Sequence, residues 1–337
     1  MPHTFNQLNA LWSRGQEFLG TPYAILGGAM SWVSERSLVS AISNAGGFGV
    51  LACGAMTPAL LDEEVRATKT LTTKPFGVNL ITLHPDLDAL IDVCIRHGVS
   101  HVVLAGGVPA APSIAKLKDA GIKVICFTPT LALGKRLIKA GVDALVIEGS
   151  EAGGHIGPVS TSVLAQEILP NLQDVPIFVA GGIGRGECML SYLEMGASGC
   201  QLGTRFVCAL ESRAHPNFKK AFIRANARDA VSSTQIDPRF PVIPVRALAN
   251  EGMTTFAATQ REMIAKVDSG EMELQEAQLA IEHFWAGALR RAVVDGDVTH
   301  GSLMAGQSVG LVTAEESIDD IMKMLIEQAR AKLRTRH

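Results

Sequence analysis

The residues of this chain that could do chemistry gather where apolar runs give way to glycine. In "ALVIEGSEAGGHIG" an apolar run ends at Glu148, and a single imidazole, His155, follows Gly153 and Gly154. Glycine leaves room for a ligand plane, and a histidine facing that plane can give or accept a proton near neutral pH. Glu148 and Glu151 in the same stretch are suited first to hydrogen bonding and second to acid–base work. "AGGIGRGE" (180–187) and "LGTRF" (202–206) are two further glycine loops, of the kind whose backbone N–H groups approach an anion, with Arg185 and Arg205 adding positive charge nearby. In "GGAM" (27–30), Gly27 and Gly28 would clear space for a flat ring and Met30 could pack on its face. Asn79 places an amide inside an otherwise apolar strand, which is costly unless the amide has partners.

These loops need a frame that brings them to one face. Eight apolar runs of strand length end in glycine or a polar residue: 23–30, 48–54, 76–80, 101–107, 123–129, 144–150, 176–182 and 199–204. They recur every ~20–30 residues, the length of one strand–helix unit. Helically spaced segments lie between them, among them "SERSLVSAISNAGG", "PALLDEEVRATKTL", "LALGKRLIKAGV" and "GECMLSYLEMGA", several closed by a glycine that suits a helix C-terminus. Eight such units with continuous apolar strands predict an α/β fold, a (β/α)8 TIM barrel, whose catalytic face is built by the loops at strand ends. An open dinucleotide-binding sheet fits less well, because "GGIGRGE" has Glu187 where the third glycine of that fingerprint belongs. The two glycine loops then fall after the seventh and eighth strands, the usual phosphate position.

Residues 213–300 break the rhythm with the proline-bearing "STQIDPRFPVIPVRAL" and a charged helical stretch. They read as a small helical lid inserted after strand eight, with 1–212 and 301–337 forming the barrel and "AEESIDDIMKMLIEQARAKL" packing back on it. By spacing alone the chain is a barrel that binds a phosphorylated planar cofactor with one histidine over it.

Composition narrows the partners. Of 337 residues, 30 are basic and 33 acidic, which leaves no polyelectrolyte face for nucleic acid or anionic lipid. Six scattered cysteines without a C-x-x-C pair fit a reducing cytoplasm, and the N-terminus lacks the pattern of a signal peptide. No apolar stretch reaches membrane-helix length, so no membrane partner is expected. Of the nine histidines, His84, His97, His101, His155, His215, His283 and His300 show no H-E-x-x-H spacing, so no metal site is expected. No G-x-S-x-G elbow supplies a nucleophile.

Several motifs resemble one known family in order and spacing: "ILGGAMSWVSERSLVSAISNAGGFGVL", "TKPFGVNL", "EGSEAGGHIG", "VAGGIGRGE", "QLGTRFVCALESRAHPNFK" and "GALRRAVVDGDVTHGSLMAGQSVGLV". They are similar to the FMN-dependent enoyl-acyl-carrier-protein reductase II family, within the superfamily that also holds the nitronate monooxygenases (2-nitropropane dioxygenases). The resemblance spans about residues 22–327. It implies FMN as cofactor, with Gly28, Ala29, Met30 and Asn79 along the isoalloxazine side, Gly153 and Gly154 against the cofactor, and Glu148 among the cofactor-binding residues. It further implies that Ala180, Gly181, Gly182, Gly203 and Thr204 take the phosphate and ribityl chain, that Met304, Gly306 and Gln307 in "SLMAGQ" approach the flavin, and that His155 is the catalytic histidine.

The activity implied is reduction of the 2,3 double bond of an enoyl thioester in fatty acid or polyketide synthesis, with NADH or NADPH as reductant. The alternative is oxidation of alkyl nitronates with O2, and a third reading is a phosphate-binding barrel without turnover. The implied partners are a small or carrier-bound acyl substrate, an acyl carrier protein and a second copy of the chain. Arg205, Arg213, Lys219, Lys220 and Arg224 form a basic cluster near the strand-eight loop, which reads first as an ordinary solvated helix face and second as a docking surface for the carrier. The stretch "SSTQIDPRFPVIPVRALAN" departs from the resemblance in its proline content, at the expected substrate mouth.

Overall fold

The computed structural model describes the backbone of residues 2–240 and 244–335, and within these every side chain except those of residues 2–6, 279, 282, 283, 285 and 286. Residues 241–243 of the proline-bearing stretch and the side chain of His283 therefore lie outside the described residues.

Eight short parallel strands make the barrel: β1 (Ile25–Gly27), β2 (Gly49–Ala52), β3 (Phe76–Ile81), β4 (His101–Ala105), β5 (Lys123–Phe127), β6 (Ala144–Glu148), β8 (Ile177–Ala180) and β9 (Gly199–Leu202). Each lies inside one of the eight apolar runs or overshoots it by a single residue. Neighbours pair in parallel from β2 through to β9, β9 pairs with β1, and the bridge between Leu26 and Phe48 brings β1 back to β2. Helices fill the crossovers, including α2 (Arg36–Asn44), α3 (Pro58–Leu71), α6 (Leu131–Lys139), α7 (Thr161–Ile168) and α8 (Gly186–Glu194). Sequence places their starts: Thr57 accepts from the Leu60 N–H before Pro58, and Thr130 accepts from the Leu133 N–H.

The lower end of the barrel is closed by α1 (Pro2–Leu19), a helix the strand rhythm did not announce. The Phe18 carbonyl accepts from Lys123 Nζ at 2.7 Å and from His101 Nε2 at 3.0 Å, while the Phe18 and Phe48 rings meet the His101 ring edge-on. Burial pushes His101 down to about 4, so this imidazole stays neutral and structural. The far end of the chain, α13 (Ile318–Arg334), packs on α8 and α1 through Ile321, Leu325 and Ala329, all buried.

The stretch from 213 to 300 is not helical throughout. After α10 (Pro216–Arg224) come the strands β10 (Ala230–Ser232) and β11 (Val245–Leu248), then the helices α11 (Glu251–Asp268) and α12 (Leu274–Val293). The helix pair has a small core of its own, formed by Phe240, Phe256, Met263, Ala277 and Ile281. α10 belongs instead to the barrel core through Phe218 and Phe222. β11 pairs antiparallel with β10 on one side and, on the other, with β7 (Gly154–His155), the two-residue strand that carries the candidate histidine. The proline-bearing stretch predicted as part of a helical lid thus ends in a strand that covers the mouth.

Candidate active site

Strand register decides which side chains enter the mouth. Glu148, Ala180, Gln201 and Leu26 are successive partners across β6, β8, β9 and β1, so they share one face of the sheet. Asn79 comes from β3, in register with Ala52 and Val103. Asn79 and Gln201 are buried, and among the described residues only the Asn79 Nδ2 donates, to the Val103 carbonyl at 3.3 Å. Glu148 has no hydrogen-bond partner among the described residues, and burial pushes its carboxyl up to about 8, so it is predominantly neutral at pH 7. The Asn79 amide with its oxygen unengaged, and the Gln201 amide and neutral Glu148 carboxyl with no partner among the described residues, suit a neutral heterocycle that both donates and accepts hydrogen bonds. That donor set fits the isoalloxazine edge of FMN.

The glycine loops converge around these groups. The Gly28 N–H donates to the Leu202 carbonyl at 2.8 Å, which places the loop after β1, including Ala29 and Met30, against the loop after β9. A Cβ on Gly203 would lie 3.5 Å from the Met30 sulfur. Gly153 is required by crowding: a Cβ there would come within 2.6 Å of the Gly306 N and 2.7 Å of the Ala305 carbonyl carbon. Gly306 in turn donates its N–H to Thr204 Oγ1 at 2.9 Å, and Gln307 donates its N–H to the Glu151 carbonyl at 2.9 Å. The Met304 sulfur lies 3.6 Å from where a Gly154 Cβ would stand. Gly181 (φ 97°) and Gly182 (φ 73°) make a left-handed turn just past Ala180. All the nominated loops therefore meet at one end of the barrel.

Three nominations are corrected. Gly27 does not clear space for a ring, since a Cβ there would meet Ile42 Cδ1 of α2 at 2.6 Å, on the outside of the barrel. Arg205 is buried and bonds Glu316 at 2.6 Å, while Arg185 is paired with Glu187, so neither is a free charge for a phosphate. The basic docking cluster is interrupted: Lys219 is also buried, bonding the Ala209 carbonyl at 2.7 Å and Glu315 at 3.0 Å, and only Arg213, Lys220 and Arg224 are exposed.

Desolvation by the surrounding chain lowers the affinity of His155 for a proton, so the imidazole is predominantly neutral at pH 7. Its backbone is set by the pairing of Val245 with His155 and of Arg246 with Gly154. Arg246 ties this corner together, donating from Nε to the Ser150 carbonyl at 2.8 Å and from Nη1 to the Ala230 carbonyl at 2.6 Å. Glu151 works on the frame as well: its Oε2 accepts from the Thr161 N–H and hydroxyl, both at 2.9 Å, at the start of α7. On the opposite rim Trp32 adopts φ 68°, the only positive φ outside glycine among the described residues, and Arg290 of α12 lies 5.8 Å from its ring centroid.

Sequence reasoning missed Gln201 and Arg246. Gln201 carried the same signal that singled out Asn79, an amide in an apolar strand. Arg246 carried none, because its partners lie 96 and 16 residues away.

A family model described as nitronate monooxygenase matches residues 13–90 and 86–328. The chain belongs to the nitronate monooxygenase family. Members of this family are FMN-dependent oxidoreductases, and the barrel mouth supplies the donor set such a cofactor needs. Among solved structures of similar fold is FabK from Thermotoga maritima, with a TM-score of 0.85, 34% identity, and coverage of 96% of this chain and 97% of that one. Nitroalkane oxidase from Streptomyces ansochromogenes matches with a TM-score of 0.76 at 26% identity, covering 96% and 99% of the two chains. A relative from Rhodococcus jostii (strain RHA1), (3aS,4S,5R,7aS)-5-hydroxy-7a-methyl-1-oxo-octahydro-1H-indene-4-carboxyl-CoA dehydrogenase, is 31% identical over 94% of this chain and 96% of its own length. No helix among the described residues is long and apolar enough to cross a membrane.

Proposed function

We propose that this protein is an NADH- or NADPH-dependent reductase of the 2,3 double bond of enoyl thioesters. The observation that carries the reading is the 34% identity and near-complete overlap with FabK, an enoyl-acyl-carrier-protein reductase II, combined with a neutral imidazole that follows Gly153 and Gly154 on the short strand β7. The Rhodococcus relative, named for a carboxyl-CoA substrate, supports an acyl thioester as the substrate class. Reduction adds a hydride at the β-carbon and a proton at the α-carbon, leaving a saturated thioester and NAD(P)+. FMN, when bound, supplies the hydride-transfer chemistry.

The chain's own groups do the rest. His155, as a neutral imidazole, carries one N–H that donates to the thioester carbonyl, where negative charge develops when the β-carbon is reduced. Pairing of β7 with β11 and the Arg246 clamp on Ser150 and Ala230 hold that imidazole against the mouth. Glu148, Asn79 and Gln201 orient the cofactor ring, and Met30 and Met304 provide apolar contact at the rim. Acyl carrier protein or coenzyme A would present the substrate. The exposed part of the basic cluster, Arg213, Lys220 and Arg224, is the surface left for a carrier.

The second reading, oxidation of alkyl nitronates, is favoured by the family model and by the similarity to nitroalkane oxidase. Anaerobic stopped-flow separates the two. The reductase reading expects NADH or NADPH to bleach the flavin and an enoyl thioester, carried by coenzyme A or by carrier protein, to restore its colour. Bleaching by a nitronate and none by the pyridine nucleotides would transfer the protein to the second reading.

A further inference from the structure

A flavin phosphate is a dianion near neutral pH, and the two arginines nearest its loops in sequence are engaged elsewhere, Arg185 with Glu187 and Arg205 with Glu316. Beside the Gly181–Gly182 turn opens a cavity of about 740 Å³, walled by both glycines, Tyr192 of α8, Gln307 and Ser308, and Arg228. Arg228 sits in the 3-10 turn Ala227–Asp229 that follows α10. A reciprocal cap holds that turn, with the Asp229 carboxylate accepting from the Asn226 N–H at 2.7 Å, so Asp229 is turned to its own backbone. No carboxylate contacts Arg228 among the described residues, and it is the only cation in the cavity wall. The other charged group there is Glu151, whose Oε2 is held by Thr161 at the start of α7.

We propose that Arg228 is the cation that recognises the phosphate of FMN at the Gly181–Gly182 turn. The inference rests on the cofactor reading above and adds a residue from outside the barrel strands to it. The backbone N–H groups of the turn supply hydrogen bonds without net charge, and the guanidinium supplies the charge together with a planar pair of donors that matches two phosphate oxygens. The segment after α10 then belongs to the cofactor site, whereas the rest of the insertion serves the substrate side.

The test compares binding of FMN with binding of riboflavin, which has the same ring and ribityl chain and lacks the phosphate. Flavin-free wild-type protein, Arg228→Gln and Arg228→Lys are titrated with each flavin while its fluorescence is followed. For Arg228→Gln the FMN Kd should rise about tenfold to a hundredfold, the range for losing a charge-assisted bond. The riboflavin Kd should move by less than about twofold, as for a surface substitution elsewhere, which also shows that the variant is folded. Arg228→Lys, a point charge without the fork, should fall between wild type and Gln for FMN. Unchanged FMN affinity in Arg228→Gln, or equal losses for both flavins, overturns the proposal while leaving the cofactor reading intact. A wild-type protein that binds neither flavin overturns the cofactor reading itself, and the proposal with it.

Discussion

Glu148 offers a direct test of the site's electrostatics. Its carboxyl stands at the end of β6 with no partner among the described residues, and burial pushes it from 4.5 up to about 8. A folded-state value raised above the unfolded one makes stability fall as pH rises, because between 4.5 and about 8 the unfolded chain loses the proton and the folded chain keeps it. Glutamine has the shape of the protonated acid and never ionises, so Glu148→Gln removes this dependence. At about 1.4 kcal/mol per pH unit, the variant gains nothing near pH 4.5, about 3 kcal/mol at pH 7 and about 5 kcal/mol above pH 8, as upper limits that water reaching the mouth will reduce. Urea unfolding of flavin-free wild type and variant at pH 5, 7 and 9 measures the difference. The gap should widen with pH and level off above 8. A gap that stays constant across the three pH values, or narrows as pH rises, would refute it.

Three further outcomes are expected. His155→Ala should keep FMN bound but slow turnover by about 10²–10⁴, the scale for a positioned acid–base or hydrogen-bonding group, and stopped-flow on the reductive and oxidative halves will show which one slows. Because the His155 pKa is lowered, the wild-type rate should show no histidine titration between pH 7 and 8; an inflection there that vanishes in the variant would contradict the neutral imidazole. Gly153→Ala drives a methyl into the Ala305–Gly306 backbone, so the two loops must separate; a cost of about 1–3 kcal/mol in stability should appear in thermal melts, with weaker FMN binding alongside. Lys219→Met should destabilise the fold by about 1–3 kcal/mol, since it leaves the buried Ala209 carbonyl without its donor while Glu315 turns to solvent, without the selective rise in KM for carrier-bound substrate that a docking residue would give.

The barrel and its glycine loops were legible in the sequence because their causes are local. Continuous apolar runs such as "ALVIE" make buried parallel strands, a positive φ at Gly181 and Gly182 demands glycine, and an imidazole after two glycines advertises itself. Gln201 was legible by the same rule that found Asn79 and was passed over. What the tertiary structure alone decided is where the charges and the crowding fall. Arg205 and Lys219 read as surface cations, yet their carboxylates sit 111 and 96 residues further along the chain, and packing α13 and the segment before it against the barrel buries both cations while their carboxylates stay at the surface. Gly27 looked like room for a ligand until the strand register turned it towards Ile42. Thr204 meets Gly306 across 102 residues, and Arg246 reaches Ser150 across 96. Local periodicity sets which elements form and which residues face a common side; long-range contacts, which leave no mark on neighbouring residues, determine which partner each polar group finds once the chain closes on itself.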